Sequence, residues 1–357
     1  MTEPEAPKTP DTINQLMGAV YSPVAMLAGM QLELFTPLAE GPMNAAELSV
    51  KLDVRPDKLS PLLYALVVAN LLTVDNGLFA NTPESNQFLV KGAPRYLGGG
   101  HELWSAIWGA LLQTAETIRT GNPQAKHDFN AMSAEELRTF LRALHAGTYA
   151  TGKLLPEVLH LSRYKHLADV GGGSGGLAIG ACQACENLQA TVVELPTTAV
   201  ITEEFIAETE MGKRVAVSRA DVTREIPEGR FDIAVMRALI QVLSAEQAGR
   251  VISNVGQALE SDGTIAIIGT MVDDSRVTPP AAVGFNLAFL NLYDDGCCYT
   301  ETEHRQWLEQ SGFTDFKRQL LLTMLRVLFF NRNKKLQRHI FNSFYSSIIS
   351  ATYTSPG

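Results

Sequence analysis

Cysteine is scarce in this chain: four residues in 357, Cys182, Cys185, Cys297 and Cys298. That excludes the disulfide framework of a small secreted domain. Cys182-x-x-Cys185 has redox spacing, but it falls inside an expected helix, where thiols packed among apolar neighbours are the plainer reading. No second Cys/His cluster completes a zinc site, so no metal is expected. No uninterrupted apolar run reaches membrane-spanning length, and Met1–Asp11 is acidic and proline-bearing rather than basic and then apolar. A membrane partner is therefore not expected, and the cytoplasm is the expected location. The formal net charge is -9 and no long basic stripe interrupts it, which argues against nucleic acid as a partner. What the chain has is 46% apolar residues, enough to bury the core of two domains or one large one.

Residues 12–100 read as a helical module. Ile13–Leu34 is helical in period with a break at Ser22-Pro23. Asn44 and Glu47 have the spacing of a capped helix start, and Asp57–Leu72 is a further amphipathic helix. Two short strands follow around Asn76-Gly77, a hairpin turn. Helix, helix, hairpin is the order of a winged helix, but the recognition-helix position, Asp57–Leu66, is mostly apolar, which points to dimerisation rather than DNA reading. Residues 101–160 read as connecting helices. In them Arg142, His145 and Tyr149 share one face, either a solvated stripe or a pocket wall for an anionic group. Trp104 and Trp108, four apart, mark core or interface. From residue 161 to about 330 strands alternate with helices: Leu167–Val170, Thr191–Pro196, Val215–Val217, Phe231–Met236 and Thr264–Ile268, with Ala245–Leu259 among the helices. That is a parallel sheet covered on both faces, with ligands expected at the carboxyl ends of its strands. Residues 331–357 show no usable pattern and are expected to be a disordered tail.

The sharpest local signal is Asp169-Val170-Gly171-Gly172-Gly173-Ser174-Gly175-Gly176, where a buried strand turns into a helix through residues that lack a Cβ. A bare backbone there lets a ligand lie against main-chain N–H groups. The same glycines satisfy Gly-x-Gly-x-x-Gly, so a nicotinamide dinucleotide stays open as a ligand. The acid immediately before the glycines favours S-adenosylmethionine (SAM), whose amino-acid end carries an ammonium.

Over residues 12–328 the chain resembles the SAM-dependent O-methyltransferases that carry an N-terminal winged-helix dimerisation domain. The resemblance is carried by Asp169–Gly175, by Glu194-Leu195-Pro196, by Asp221 after the third strand, and by Glu301-x-Glu303-x3-Trp307-Leu308-x3-Gly312-Phe313. It implies an α/β, Rossmann-like class I methyltransferase domain with a mainly parallel twisted sheet, preceded by a helical dimerisation domain, and hence a homodimer acting on a small molecule. It also implies roles. Asp169, Gly171 and Gly173 would hold the methionine end of SAM, Glu194 the ribose hydroxyls, Asp221 and Val222 the adenine, with Arg237 beside them. Arg142, His145, Tyr149, Phe285, Asn286, Asn291, Tyr293 and Tyr299 would contact the acceptor, with Asp294 and Asp295 nearby.

The departure from the family is at the catalytic set. The segment Arg237–Glu246 aligns with the one that carries the family's histidine base, and the base position is Gln241. Thr270 and Cys298 stand where two acids orient that histidine, and Asp273 and Asp274 fall on the loop beyond. An amide cannot take a proton. Ionising a phenol of pKa ~10 at neutral pH costs about 4 kcal/mol, and a general base contributes about 10²–10⁴-fold. The expectation is therefore an acceptor atom with no proton to lose, such as a thioether sulfur or an electron-rich carbon. Two base-free branches resemble it: the methylthiohydroxybutyrate S-methyltransferases of dimethylsulfoniopropionate synthesis and the carbon methyltransferases of tetrapyrrole pathways. The first would anchor a carboxylate on Arg142, His145 or Arg237. The alternatives are an O-methyltransferase of a phenol or polyketide using His145 or His304 as base, and a SAM-binding protein that no longer methylates.

Overall fold

A computed structural model of the chain describes residues 9–332 apart from Pro94, Asn130 and 321–325. The chain divides into two units, with the boundary between Gly109 and Ala110.

In the first unit, helices α1 (Asp11–Gly18) and α2 (Tyr21–Gln31) replace the single expected helix. The break falls at Ala19-Val20, just ahead of Pro23, which sits in the first turn of α2, where its missing N–H costs nothing. Helix α3 (Ala45–Leu52) opens on the anticipated capping box of Asn44 and Glu47. Helix α4 (Pro56–Val68) ends earlier than expected because Leu72 already belongs to strand β1 (Leu72–Asp75), which pairs antiparallel with β2 (Leu78–Asn81) across Asn76-Gly77. Helices α5 (Pro83–Phe88) and α6 (His101–Leu111) complete the unit, α6 crossing the boundary. The core gathers Leu34, Phe35, Leu48, Leu63, Leu66 and Phe79.

The second unit begins with α7 (Thr114–Thr120) and the long α8 (Ala134–Leu159), whose start is capped by Ser133 and Glu136. Strand and helix then alternate: β3 (His166–Val170), α9 (Gly176–Ala184), β4 (Gln189–Glu194), α10 (Pro196–Ala207), β5 (Val215–Arg219), β6 (Phe231–Arg237), α11 (Ala245–Ala258), β7 (Leu259–Gly269). After them come α12 (Pro280–Leu292), α13 (Glu301–Gln310) and an antiparallel pair, β8 (Phe313–Leu320) and β9 (Arg326–Arg332). The sheet order is β5-β4-β3-β6-β7-β9-β8, parallel from β5 through β7. The sequence did not announce β8 and β9. The stretch read as a tail from residue 331 begins inside β9, which inserts between β7 and β8, and residues 333–357 lie outside the described residues.

Strand residues alternate between two cores, as the two-residue period requires. Ala168, Val170, Ala234, Met236, Ile265 and Ile267 join α11 on one face. Leu167, Ile233, Val235, Ala266 and Ile268 join α8 and α9 on the other. The chain order reverses at β3, which has β4 on one side and β6 on the other. Such a switch point opens a crevice at the carboxyl ends of the strands. The connecting segment 101–160 does not form a layer of its own: α6 straddles the unit boundary, and α8 packs against α9.

Candidate functional site

The residues marked by the sequence at strand ends meet at that crevice. Asp169 and Val170 close β3, Glu194 closes β4, Asp221 follows β5, Arg237 closes β6, and Thr270 follows β7. Between β3 and α9 the chain is drawn into a tight turn. Gly171 N donates to Val193 O at 2.8 Å, and Gly171 and Gly173 have φ of 65° and 58°, the left-handed region that glycine enters freely. Gly172 is constrained by space: a Cβ there would lie 2.6 Å from the Asp169 carboxyl carbon and 2.8 Å from Val192. From outside the loop, Glu194 Oε1 accepts from Gly173 N at 2.7 Å, and Thr202 Oγ1 donates to Gly173 O at 2.6 Å. Thr202 went unnoticed in the sequence, because only the fold turns that face of α10 to the glycines.

Asp169 is buried. Its Oδ2 accepts from Ala178 N at 3.1 Å, while Oδ1 has no partner. Desolvation raises its pKa to about 7; the Ala178 N–H opposes the rise, Glu194 adds to it and Arg237 opposes it. Glu194 is also buried and shifted upward by desolvation, against the N–H groups of Gly173 and Leu195. The Arg237 guanidinium is shifted downward by burial, against the pull of Asp169, and its Nε donates to Thr151 Oγ1 at 3.2 Å. Asp221 accepts from Thr223 N and Oγ1 and pairs with Arg224, with buried Val222 beside it. An orphaned carboxylate oxygen, a cradle that a Cβ would fill, and a second buried carboxylate with lone pairs to spare together fit a ligand that is cationic at one end and hydroxylated further along. A nicotinamide dinucleotide explains the glycines but not the orphaned Asp169 oxygen.

The candidate acceptor residues divide. Arg142 does not offer a free cation: its guanidinium forms a two-point pair with Glu208, which caps the end of α10, and lies 4.0 Å from the Phe205 ring centroid. His145 Nδ1 lies 2.9 Å from Ser174 Oγ in the glycine turn, its ring stacked on Phe205. Tyr149 Oη donates to Gln183 Oε1 at 2.6 Å. This face of α8 therefore docks on α9, α10 and the turn instead of opening as a carboxylate pocket. Asn291 is fully buried and spends its amide on Thr117, Thr114 and Leu287 O, tying α12 to α7. Asn286 Oδ1 accepts from Cys298 N, and Tyr299 Oη donates to Leu243 O. These three hold the structure together. Asp294 pairs with Lys126. Phe285 and Tyr293 remain as wall residues, both packed on Phe289.

Gln241 sits on the short turn Ile240–Val242 after β6. Its Oε1 accepts from Thr270 N at 3.0 Å, so the amide closes onto the end of β7. Around it is a cavity of about 10 Å³ lined by Ala238, Gly269, Thr270, Met271 and His304 among others, room for a single water at most. His304 Nδ1 is 2.7 Å from Thr300 O at the cap of α13, and its ring packs on Trp307. Burial lowers the pKa of both His145 and His304. Cys298, at an aligned acid position, is a buried thiol pushed up to about 12 by desolvation. Cys182 is likewise raised, to about 11, and Arg214 caps the Cys182 and Cys185 carbonyls, as packed helix cysteines require. A separate cavity of about 280 Å³, lined by His166, Lys213 and Arg230 among others, lies at the amino ends of the strands, away from this chemistry.

The fold and the cradle define a class I SAM-binding domain, and the comparisons narrow it. The O-methyltransferase domain model matches residues 116–314, and the O-methyltransferase dimerisation domain model matches residues 14–91. The chain belongs to this O-methyltransferase family, and its cofactor is SAM. It is 28% identical over 317 residues to the tetracenomycin polyketide synthesis 8-O-methyl transferase TcmO of Streptomyces glaucescens, covering 86% of this chain and 92% of the relative. It is 27% identical over 314 residues to the 3-hydroxy-5-methyl-1-naphthoate 3-O-methyltransferase of Streptomyces sahachiroi, covering 86% and 90%. Human N-acetylserotonin methyltransferase, solved in complex with SAM, shares the fold with a TM-score of 0.78 at 19% identity, covering 92% of this chain and 100% of that one.

SAM affinity is expected to fall with acidity. A cationic ligand favours ionised Asp169, so affinity is complete above the free-protein pKa of about 7 and declines as pH drops through it, by at most ~10-fold per unit. Titration calorimetry between pH 5.5 and 8.5 checks this. A flat dissociation constant, or an Asp169→Asn variant with the same slope as the parent, removes Asp169 as the ammonium partner.

Proposed function

We propose that this enzyme methylates a small-molecule atom that has no proton to lose, best met by the thioether sulfur of a small carboxylate such as 4-methylthio-2-hydroxybutyrate. The observation that carries the reading is Gln241: an amide at the family's base position, closed onto Thr270 N, with Thr270 and Cys298 where the orienting acids would be. In this reading Asp169, Gly171, Gly173, Glu194, Asp221 and Val222 hold SAM. Arg237 is the buried cation at this edge of the sheet, available to a carboxylate.

Bound SAM supplies an electrophilic methyl group on a sulfonium. The chain's part is to place and to dry. Gln241 takes no proton, and none is released: the acceptor's thioether lone pair would form the new S–C bond as the S–CH3 bond of the donor breaks, so that S-adenosylhomocysteine is the neutral leaving group and the acceptor departs as a sulfonium. Alignment of two reactants can supply ~7–11 kcal/mol, more than the 10²–10⁴-fold a base contributes. The rings of Phe285, Phe289, Tyr293, Phe129 and Phe140 form a continuous aromatic group, which excludes water and tolerates a cation over its faces. Phenolic O-methylation is the second reading, favoured by the names of the two Streptomyces relatives. It needs a base other than Gln241: the Nδ1 atoms of His145 and His304 are already engaged, and that of His127 has no partner.

Gln241→Ala is expected to keep kcat within about tenfold of the parent, with a rate at saturating SAM that is flat from pH 6 to 9. The assay is S-adenosylhomocysteine release with a panel of thioethers and phenols. Turnover confined to a phenol, with an acid limb in the imidazole range that persists at saturating SAM, would sink the thioether reading.

The same proposal makes the working form a homodimer through the first unit. Ile13, Leu16, Met17, Val20, Tyr21 and Val24 form an exposed apolar stripe along α1 and α2, each more than half exposed, of the kind that marks an interface. Sedimentation is expected to give a dimer, and Leu16→Glu with Val20→Glu a monomer; a parent monomer at micromolar concentration ends that part of the proposal.

A further inference from the structure

His127 lies in the loop between α7 and α8, and its Nδ1 is buried without a hydrogen-bond partner. Three rings meet the imidazole edge-on: Phe140 at 5.3 Å, Tyr293 at 5.9 Å and Phe129 at 6.4 Å between centroids. The loop is anchored, because His127 N donates to Leu292 O at 2.8 Å and Ala125 N to Asn291 O at 3.1 Å. Asn291 in turn fixes α12 to α7. Tyr293 runs from this enclosure toward Gly296, which abuts the Gln241 turn. A Cβ on Gly296 would fall 3.1 Å from Tyr293 Cβ and 2.8 Å from Gln241 O, so Tyr293 and Gly296 together separate His127 from the turn that carries Gln241.

A buried polar atom left unpaired costs about 1–3 kcal/mol, and such atoms in folded proteins are nearly always paired. Aromatic edges cannot pair this one. The two other candidate imidazoles each have a polar atom at Nδ1, Ser174 Oγ for half-buried His145 and Thr300 O for buried His304. Of the three, His127 alone leaves its Nδ1 without a partner. Burial lowers its pKa and holds it neutral, and apolar walls admit a neutral partner far more cheaply than an anion.

We propose that His127 Nδ1 hydrogen-bonds a hydroxyl group of the acceptor molecule beside the reacting atom, which makes His127 a specificity residue for hydroxylated acceptors. The inference rests on methyl transfer at the Gln241 end of the site and not on sulfur as the acceptor atom. It adds a demand that Gln241 does not make: the acceptor carries a hydroxyl besides its nucleophile.

The test titrates the full-length protein, loaded with S-adenosylhomocysteine, with two probe pairs side by side. One pair is 4-methylthio-2-hydroxybutyrate against 4-methylthiobutyrate; the other is 1,3-dihydroxynaphthalene against 1-naphthol. The parent is expected to bind the more hydroxylated member of a pair at least tenfold more tightly. His127→Phe fills the ring volume without the nitrogen and is expected to bring that preference to within about twofold, with S-adenosylhomocysteine affinity unchanged. His127→Asn places an amide near the Nδ1 position and is expected to keep most of the preference. His127→Leu replaces the phenylalanine variant if that one fails to fold. A parent without the preference, a preference that survives His127→Phe, or binding of neither pair overturns the proposal. Binding of the naphthalene pair alone overturns the thioether reading, and His127 is then judged on that pair.

Discussion

Glu194→Ala is expected to weaken SAM binding about 100-fold and to leave the ligand-free protein folded with an unchanged or slightly higher melting temperature. The carboxylate holds the glycine turn through Gly173 N at 2.7 Å and its own helix entry through Leu195 N at 2.9 Å. Its remaining lone pairs are free for two ribose hydroxyls. Hydrogen bonds to a charged group contribute roughly 1.5–3 kcal/mol each. Two of them lost from the bound state come to about 3 kcal/mol, or roughly 100-fold. The free protein responds differently, because Glu194 is buried and desolvation pushes its pKa upward. Removing a carboxylate that is costly to keep charged relieves that penalty and offsets the two lost backbone bonds. A residue with only a structural role lowers the melting temperature with and without ligand alike. Here only the SAM-induced rise in melting temperature should shrink, as a 100-fold larger dissociation constant requires. Calorimetry and thermal unfolding read both quantities, and a dissociation constant within threefold of the parent would remove Glu194 from the cofactor site.

Glu194 was legible in the sequence because everything that defines it is local: an alternating apolar run, an acid at its end, and Leu-Pro opening a helix. The same holds for the glycine turn, for the Asn44–Glu47 cap, and for the Asn76-Gly77 hairpin. Each is a choice among a few backbone states made within five or six residues. Partnerships between distant elements were not legible. Arg142 reads as a cation for a ligand until the fold brings Glu208 against it across 66 residues, and Asn291 reads as a substrate contact until Thr117, 174 residues away, takes its oxygen. His127 gave no signal at all, since it lies in a polar loop with no period, and only the burial of its nitrogen singles it out. Strands β8 and β9 were missed for a related reason. Lys317, Arg318 and Gln319 break the apolar pattern of β8, and β9 gains its place only by pairing with β7. The Gln241 substitution was legible as chemistry, but its geometry was not. That the amide is spent on Thr270 N follows from how β6 and β7 end side by side.

Gly152→Ala, a change of one methyl group, is expected to lower the melting temperature by about 4–8 °C and to abolish measurable SAM binding. Helices α8 and α9 approach closely enough that an added Cβ at Gly152 would lie 2.2 Å from Leu177 O and 2.9 Å from Leu177 C. Those are backbone atoms of the facing helix, so no rotamer change relieves the overlap and the helices must part. Alanine gains about 1 kcal/mol in helix propensity over glycine, but overpacking against an unyielding neighbour costs up to about 3 kcal/mol or more. The steric term wins, and for a unit of this size each kcal/mol is worth about 2–4 °C. The functional loss follows from position: α9 begins directly at the glycine turn, and Ser174 in that turn is held by His145 of α8. Separating the helices therefore misplaces the main-chain N–H groups that face SAM. Gly147→Ala is the matched control, on the same helix with its nearest contact 4.0 Å away at the tip of Arg237, and it is expected to be neutral or slightly stabilising with SAM affinity retained. If both variants melt within 2 °C of the parent, glycine spacing does not set the α8–α9 approach, and the cradle owes its shape to the turn alone.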